Sequence, residues 1–275
     1  MPNVSINASS LQRDFLIKHK SSLLFLLAAL FIGALLACSG NSYTVMTYNI
    51  RHGVGMDRVL DLQRAAKVVD AAKPDILILN EVDHGTVRAF GILQADSLGK
   101  LLEMDATFGR SIDFDSGQYG NALLSKFPVL SFQIFDLSTD SLLEGRSVFL
   151  ASILLEHDTL FVMGTHLGLK PDEREEQVKR IIQLLPPSAD LILTGDFNFE
   201  PNSDTHQMIT KSLSDGILQI NRQAENTFPA DQPVRRIDYI FIGSNIRPRG
   251  IPALTLNEIT TASDHRPQML RFQFK

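Results

Sequence analysis

Six short segments of this 275-residue chain place acids, amides and histidines where an apolar run hands over to a loop. They are Tyr48-Asn49-Ile50, Asn80-Glu81-Val82-Asp83, Thr165-His166-Leu167, Gly195-Asp196-Phe197-Asn198, Arg236-Ile237-Asp238-Tyr239 and Ser263-Asp264-His265. Polar and ionisable groups directly after a buried strand are costly unless they pair with one another or bind something. Each segment alone is a weak signal; six of them spread over most of the chain point to one shared site. The set is rich in oxygen ligands and holds no thiolate. The one cysteine, Cys38, excludes both a disulfide framework and a cysteine-based zinc cage. Such residues suit a hard divalent cation with oxygen ligands, and acid–base work by carboxylates and imidazoles.

Strands and helices must bring these segments together. Tyr43–Ile50 reads as a strand, and Asp75-Ile76-Leu77-Ile78-Leu79 is a continuous apolar run of the kind buried on both faces. Between them, Leu62, Ala65, Ala66 and Val69 form a helical stripe within 57–72, ended by Pro74. A second helix is predicted over 93–104. Strands follow over 107–114, 119–124, 129–137, 147–156 and 160–165. A third helix over 173–185 turns Val178, Ile181, Ile182 and Leu185 inward, before Pro186-Pro187 and the buried strand Leu191-Ile192-Leu193. Runs at 236–242 and 268–274 close the chain. There is one internal echo. Pro74 to Glu81 and Ala189 to Asp196 each leave a helix, cross a buried strand and reach an acid at its end. Two strand–helix–strand halves, with strands face to face and helices outside, make a four-layered α/β sandwich of two packed mixed sheets. Acids at strand ends sit where open sheets bind ligands.

Composition adds limits. Hydrophobic residues make up 44% and charged residues 21%, which excludes disorder, collagen-like repeats and a coiled coil. Arg13, Lys18 and Lys20 precede the uncharged stretch Leu23–Ala37, which falls short of the roughly 20 residues a membrane span needs. Leu35-Leu36-Ala37-Cys38-Ser39-Gly40 then resembles a bacterial lipoprotein processing site, with Cys38 becoming the lipidated first residue. The alternative is an uncleaved anchor that happens to end in cysteine. Either reading places the body outside the cytoplasm and beside a membrane of the cell envelope. The expected organisation is a signal segment over 1–37, a tether over 38–42 and a catalytic domain over 43–275. Without the three basic residues and one acid of 1–37, 23 basic and 30 acidic groups remain, a net charge of −7. That argues against a dedicated nucleic-acid scaffold, which needs a basic face. Nucleic acid enters only as a substrate, and the expected state is a monomer.

From Tyr43 to Phe274 the sequence resembles the endonuclease/exonuclease/phosphatase superfamily, which includes deoxyribonucleases, abasic-site endonucleases, sphingomyelinases and inositol-phosphate 5-phosphatases. Its most specific pieces here are Gly195-Asp196-Phe197-Asn198 and Ser263-Asp264-His265; Tyr119 to Pro128 resembles a segment of the secreted and lipid-remodelling branches. The resemblance implies cleavage of a phosphate ester with Mg²⁺ or Mn²⁺ in a four-layered sandwich. Glu81 is then the leading metal ligand, ending a buried strand, with the Asn49 carbonyl and Asp264 beside it. Asp196 orients and deprotonates a water. Asn198, pointing the same way from an extended backbone, donates to the oxygen that gains charge. His265 meets the phosphate as imidazolium, with Asp238 on its other ring nitrogen. His166 binds a phosphate oxygen or helps to protonate the leaving group.

Blander roles compete: Asp238 in an inter-strand ion pair, Asn198 as a turn residue, His166 as a satisfied core histidine. His52, Arg88 and Arg146 are further candidates for substrate contact, and Asp172 to Glu176 reads as a solvated first helical turn. Arg51 stands where abasic-site endonucleases carry an acid, and those enzymes lack a histidine at the position of His166; both features argue against that branch. The leading expectation is a lipid-anchored phosphodiesterase acting on a small or lipid-linked molecule, such as a phospholipid or inositol-phosphate headgroup. A cell-surface nuclease is the enzymatic alternative, and a binding module without catalysis the non-enzymatic one.

Overall fold

The computed structural model describes residues 41–188, 190–220, 224–252 and 261–275. Cys38 and the apolar stretch before it lie outside the described residues. One six-stranded sheet contains β1 (Tyr43–Asn49), β2 (Ile76–His84), β3 (Asp105–Phe114), β4 (Gly117–Ser125), β11 (Ile246–Gly250) and β12 (Gln268–Phe274), in the order β11-β12-β1-β2-β4-β3. The other contains β5 (Val129–Asp136), β6 (Ser147–Leu155), β7 (Asp158–His166), β8 (Leu191–Asp196), β9 (Ser214–Asp215) and β10 (Asp238–Ile242), in the order β5-β6-β7-β8-β10-β9. In each sheet only the central pair is parallel, β1 with β2 and β7 with β8; every other neighbour runs antiparallel. The sequence echo is therefore a topological repeat, two β–α–β units each extended by antiparallel strands.

Helix α1 (Leu62–Ala72) crosses from β1 to β2, and α3 (Pro171–Leu184) from β7 to β8; α2 (Gln94–Leu102) and α4 (Asp204–Thr210) are additions. α1 starts at 62 rather than 57 because the Asp61 side chain accepts the Gln63 N–H as N-cap, and it ends at Lys73 in the left-handed conformation. Alternation along the buried strands explains their unbroken apolar runs. Ile76 and Ile78 of β2 join Phe149, Val162, Ile192 and Ile240 between the sheets. Leu77 and Leu79 face the other way, onto Leu62, Val68 and Leu98 of α1 and α2. Leu191, Leu193 and Phe241 likewise meet Val178, Ile181 and Ile209 on the outer face of the second sheet. These are four layers with three apolar interfaces. Each fully buried aliphatic side chain contributes roughly 1.5–3 kcal/mol, so the three apolar interfaces hold the layers together.

Three elements carry little sequence signal: α4, β9 and β11. In the edge strand β11 Arg247 and Arg249 are exposed on either side of a half-buried Pro248, and proline is tolerated because an edge need not donate on both sides. The first turn of α3 is also less solvated than its charges suggest. Glu173 is buried and accepts a hydrogen bond from Gln177 Nε2 at 3.1 Å.

Candidate active site

The parallel pairings place Asn49 beside Asn80 and His166 beside Asp196, at the same end of the two sheets. Asn49 is fully buried there, and its amide nitrogen donates to Glu81 Oε1 and to Asp196 Oδ2, both at 3.0 Å. One side chain thus ties the acid of the first sheet to the acid of the second. Its carbonyl accepts one bond: Arg51, with φ 48°, folds its N–H back onto Asn49 Oδ1 at 3.0 Å. That oxygen, expected as a metal ligand, keeps a second lone pair, and the amide nitrogen orients the two carboxylates.

Glu81 does not end its strand. β2 continues to His84, and Glu81 sits at a register shift between Leu79 and Val82 with φ 57°. Such a bulge inserts an unpaired residue and re-aims its side chain, here into the cleft. Burial pushes the Glu81 carboxyl up, but His52, the imidazoles of His166 and His265 and the Asn49 amide outweigh it, and the group titrates well below the usual carboxylate range. Asn80, one residue earlier, is fully buried. It donates to Asn121 Oδ1 (2.7 Å) and to the Thr165 carbonyl (2.9 Å), and accepts the Asp196 N–H (3.0 Å), which staples β2 to β7 and β8. The sequence marks Asn80 only as an amide directly after an apolar run.

On the second sheet, Asp196 faces Asp238 across β8 and β10. His265 lies between them: Nδ1 is 2.9 Å from Asp238 Oδ2 and Nε2 is 3.6 Å from Asp196 Oδ2. All three are buried, with ligand atoms within 4.8 Å of one another, a spacing at which they can share protons or an ion. Burial alone would lower the His265 pKa; Asp238 and Asp196 overcome it and lift it to about 10. Asp196 is pushed up to about 7, chiefly by burial and also by Asp238, while His265 and Asn49 act in the opposite direction. The ion pair weighed for Asp238 belongs to its neighbour instead: Arg236 bonds Asp215 at 2.7 and 2.8 Å, and Asp238 is left to His265.

Asn198 is not extended. Its φ is 53°, and its N–H turns back onto Asp196 Oδ1 at 3.0 Å, as in an Asx turn. Its side-chain nitrogen donates to the Leu167 carbonyl at 2.9 Å and lies 3.1 Å from His166 Nε2. His166 itself is 3.5 Å from Asp196 through Nε2, with Arg146 Nη1 at 3.2 Å from Nδ1. Burial, then the Arg146 charge, hold its pKa well below the ordinary histidine value. A neutral ring can hydrogen-bond a phosphate oxygen; it is poorly placed to hand a proton to a leaving group. Asp264 lies 3.5 Å from Arg51 Nε, and its neighbour Ser263 donates to the Asn49 carbonyl at 2.7 Å, which ties the last loop to the end of β1.

Glu81, His166, Asp196, Asn198, Asp264 and His265 line one cleft of about 460 Å³, while Asn49 and Asp238 are buried and reach it only through the partners they hold. Glu81, Asp196 and Asp264 bring carboxylates to it; His52 Nδ1, the nearest basic atom to Glu81, is 3.9 Å from Oε2. An ionised carboxylate with so weak a cationic partner, beside a second carboxylate and without sulfur, fits a hard divalent cation. Arg88 and Arg146 line the cleft as well.

Residues 46–265 match the Endonuclease/Exonuclease/phosphatase family model. Over 242 residues the chain is 26% identical to the uncharacterised protein YbhP of Escherichia coli (strain K12), covering 82% of this chain and 94% of that one. Among solved structures, an endonuclease/exonuclease/phosphatase from Beutenbergia cavernae superposes with a TM-score of 0.69 at 22% identity, over 85% of this chain and 72% of the other. The mannosyl-6-phosphatase Bt3783 of Bacteroides thetaiotaomicron does so with a TM-score of 0.68 at 20% identity, over 84% and 100%. At these identities the structural likenesses establish the fold.

Proposed function

Because the chain belongs to the endonuclease/exonuclease/phosphatase family, we propose that it hydrolyses a phosphodiester on a small or lipid-linked molecule, such as a phospholipid or inositol-phosphate headgroup. The observation that carries this reading is the Asn49 bridge, which fixes Glu81 and Asp196 on the two sides of one cleft. Glu81 and Asp264 would hold a divalent cation, Mg²⁺ or Mn²⁺, which when bound neutralises charge on the phosphate. Asp196, lifted toward neutrality by burial, is suited to take a proton from the attacking water near pH 7. His265 stays an imidazolium at that pH and neutralises a phosphate oxygen, while Asp238 fixes its ring. His166 donates a hydrogen bond to the phosphate as a neutral ring, and Asn198 holds the Asp196 carboxylate in place.

The surroundings support a small or lipid-linked ester over duplex DNA. Leu169 lines the cleft and is 72% exposed; Phe90 (83%), Leu142 (90%) and Val234 (71%) stand within two residues of the lining residues Arg88, Glu144 and Arg235. Exposed apolar side chains on the cleft wall and on the segments next to its lining residues suit a partly apolar substrate, whereas duplex DNA is gripped through a basic surface. The structural likeness to a mannosyl-6-phosphatase also supports an ester on a small molecule. Lipidation at Cys38 completes the proposal and would hold the enzyme at a membrane outside the cytoplasm. The test is turnover of bis(4-nitrophenyl) phosphate, 4-nitrophenyl phosphate, glycerophosphodiesters, phospholipid vesicles and plasmid DNA, each with Mg²⁺ and with chelator. Headgroup diesters should be cleaved and chelation should abolish the reaction. Full activity after stringent metal removal, or a preference for plasmid, would overturn it.

A further inference from the structure

The inference that follows rests on the reading of the cleft as a phosphoester site and adds a second anchor to it. The scissile phosphate belongs beside Asp196 and His265, on the wall built by the second sheet and the loop before β12. The first sheet supplies another wall, where Arg88, Phe114 and Tyr119 line the same cleft. Arg88 sits on the loop after β2, yet its guanidinium is immobilised. Nε donates to Asp83 Oδ2 at 2.7 Å and Nη2 to Asp83 Oδ1 at 2.8 Å. Asp83 is fully buried and is itself fixed by Thr86 Oγ1 (2.9 Å) and, through its N–H, by Gln94 (3.0 Å). The guanidinium carbon lies 4.5 Å from the centre of the Phe114 ring and 5.3 Å from that of Tyr119. The Arg88 N–H is held by Asp115 Oδ2 at 2.6 Å, which fastens the loop to the β3–β4 turn.

A guanidinium has five N–H donors, and Asp83 uses two of them along one edge. The remaining Nη1–Nη2 edge is a ready fork for a planar or tetrahedral oxyanion. Among the described residues, no hydrogen bond is made to Nη1. The other two arginines of the cleft differ. Arg146 pairs with Glu144 and Arg235 with Glu200, both on exposed acids with 47% and 57% side-chain accessibility. Neutralising a buried Asp83 requires a nearby cation, but it does not require an aromatic platform and a donor edge left in the cleft. An arginine whose rotamers are already fixed binds without the ordering cost of a free one. We infer that Arg88 forms a second oxyanion subsite, which takes a phosphate or carboxylate that the substrate carries in addition to its scissile phosphate.

Calorimetry with saturating Mg²⁺ tests this without turnover. Binding of fructose 6-phosphate is compared with fructose 1,6-bisphosphate, and of glycerol 3-phosphate with 3-phosphoglycerate; the pairs add a phosphate and a carboxylate respectively. In the native protein the added anion should tighten binding by about tenfold in at least one pair, the scale of a charge-assisted contact. The double variant Asp83→Asn/Arg88→Gln removes both charges and leaves no buried carboxylate alone. It should keep the native melting temperature to within a few degrees and lose the gain, while Arg88→Lys should retain only part of it. The ratio within each protein is the readout, so a general loss of affinity cancels. An equal gain in native and double-variant proteins, or no gain in the native protein, overturns the subsite while hydrolysis of simple diesters upholds the wider reading. Absence of binding by all four phosphates overturns the subsite, and absence of metal-dependent hydrolysis of every diester overturns the wider reading.

Discussion

At the scale of single residues, the site gathers buried charges that only chemistry requires. Asp196 is the clearest case. Its folded pKa of about 7 stands above the unfolded carboxylate value of 3.8, so its ionisation costs stability as pH rises from about 4 toward 7. Asp196→Asn should therefore reduce turnover on the order of 10²–10⁴-fold, the range for a positioned base. In the metal-free protein its melting temperature relative to native should rise between pH 4 and pH 8. A melting difference independent of pH would mean that the carboxylate carries no such burden. His265 has the same sign from a different cause. Its folded pKa of about 10 lies above the unfolded value, so its stabilisation is complete below about 6.5 and is lost as pH climbs toward 10. Asp238→Asn should move the His265 ring titration, read by NMR on the metal-free protein, to lower pH. In turnover, Asp238→Asn combined with His265→Ala should be little worse than His265→Ala alone. Additive losses would show that the two do not work as a unit.

At the scale of elements, the site depends on how two parallel β–α–β units are clamped at one end. Asn80 is the clamp: three hydrogen bonds of 2.7–3.0 Å join it to Asn121, Thr165 and Asp196. Asn80→Ala would leave the buried Asp196 N–H and Asn121 carbonyl without their partner. The expected loss is about 2–4 kcal/mol in denaturant unfolding, given the cost of each orphaned group. It should lower kcat more than KM, since it releases the backbone of the base rather than a substrate contact. A stable Asn80→Ala protein with unchanged kcat would show that the sheets are aligned by the apolar core alone. The bulge at Glu81 belongs to this scale too. It lets β2 run on to Asp83 and His84, so one strand supplies both the carboxylate proposed to hold a cation and the buried acid that fixes Arg88.

At the scale of the whole molecule, the proposed function includes where the body is held as well as its cleft. No helix among the described residues is long and apolar enough to cross a membrane. The apolar stretch and Cys38 lie outside those residues; the attachment proposed is acylation of Cys38, and stable anchoring by acylation takes more than one chain. Cys38→Ser should move the protein out of the membrane fraction or leave it as unprocessed precursor. Mass spectrometry that finds an unmodified Cys38 within an intact N-terminus would refute the lipoprotein reading.

By itself the sequence determined the layers and the cast of the site. Buried runs such as Ile76–Leu79 and Leu191–Leu193, separated by helical stripes, admit few arrangements other than strands packed under helices. Polar residues following those runs had to share one end of the sheets. The tertiary structure decided what each of them does. The orientation of the Asn49 amide depends on the Arg51 N–H, and the turn at Asn198 depends on the Asp196 carboxylate. The His166 pKa is held down by burial first and then by the charge of Arg146, 20 residues earlier in the chain, against its ring. The Glu81 bulge and the staple by Asn80 likewise exist only once two strands have chosen a register. Periodicity records which face of an element is buried; protonation and ligand geometry are set by neighbours distant in the chain, and a pattern along one strand carries no trace of them.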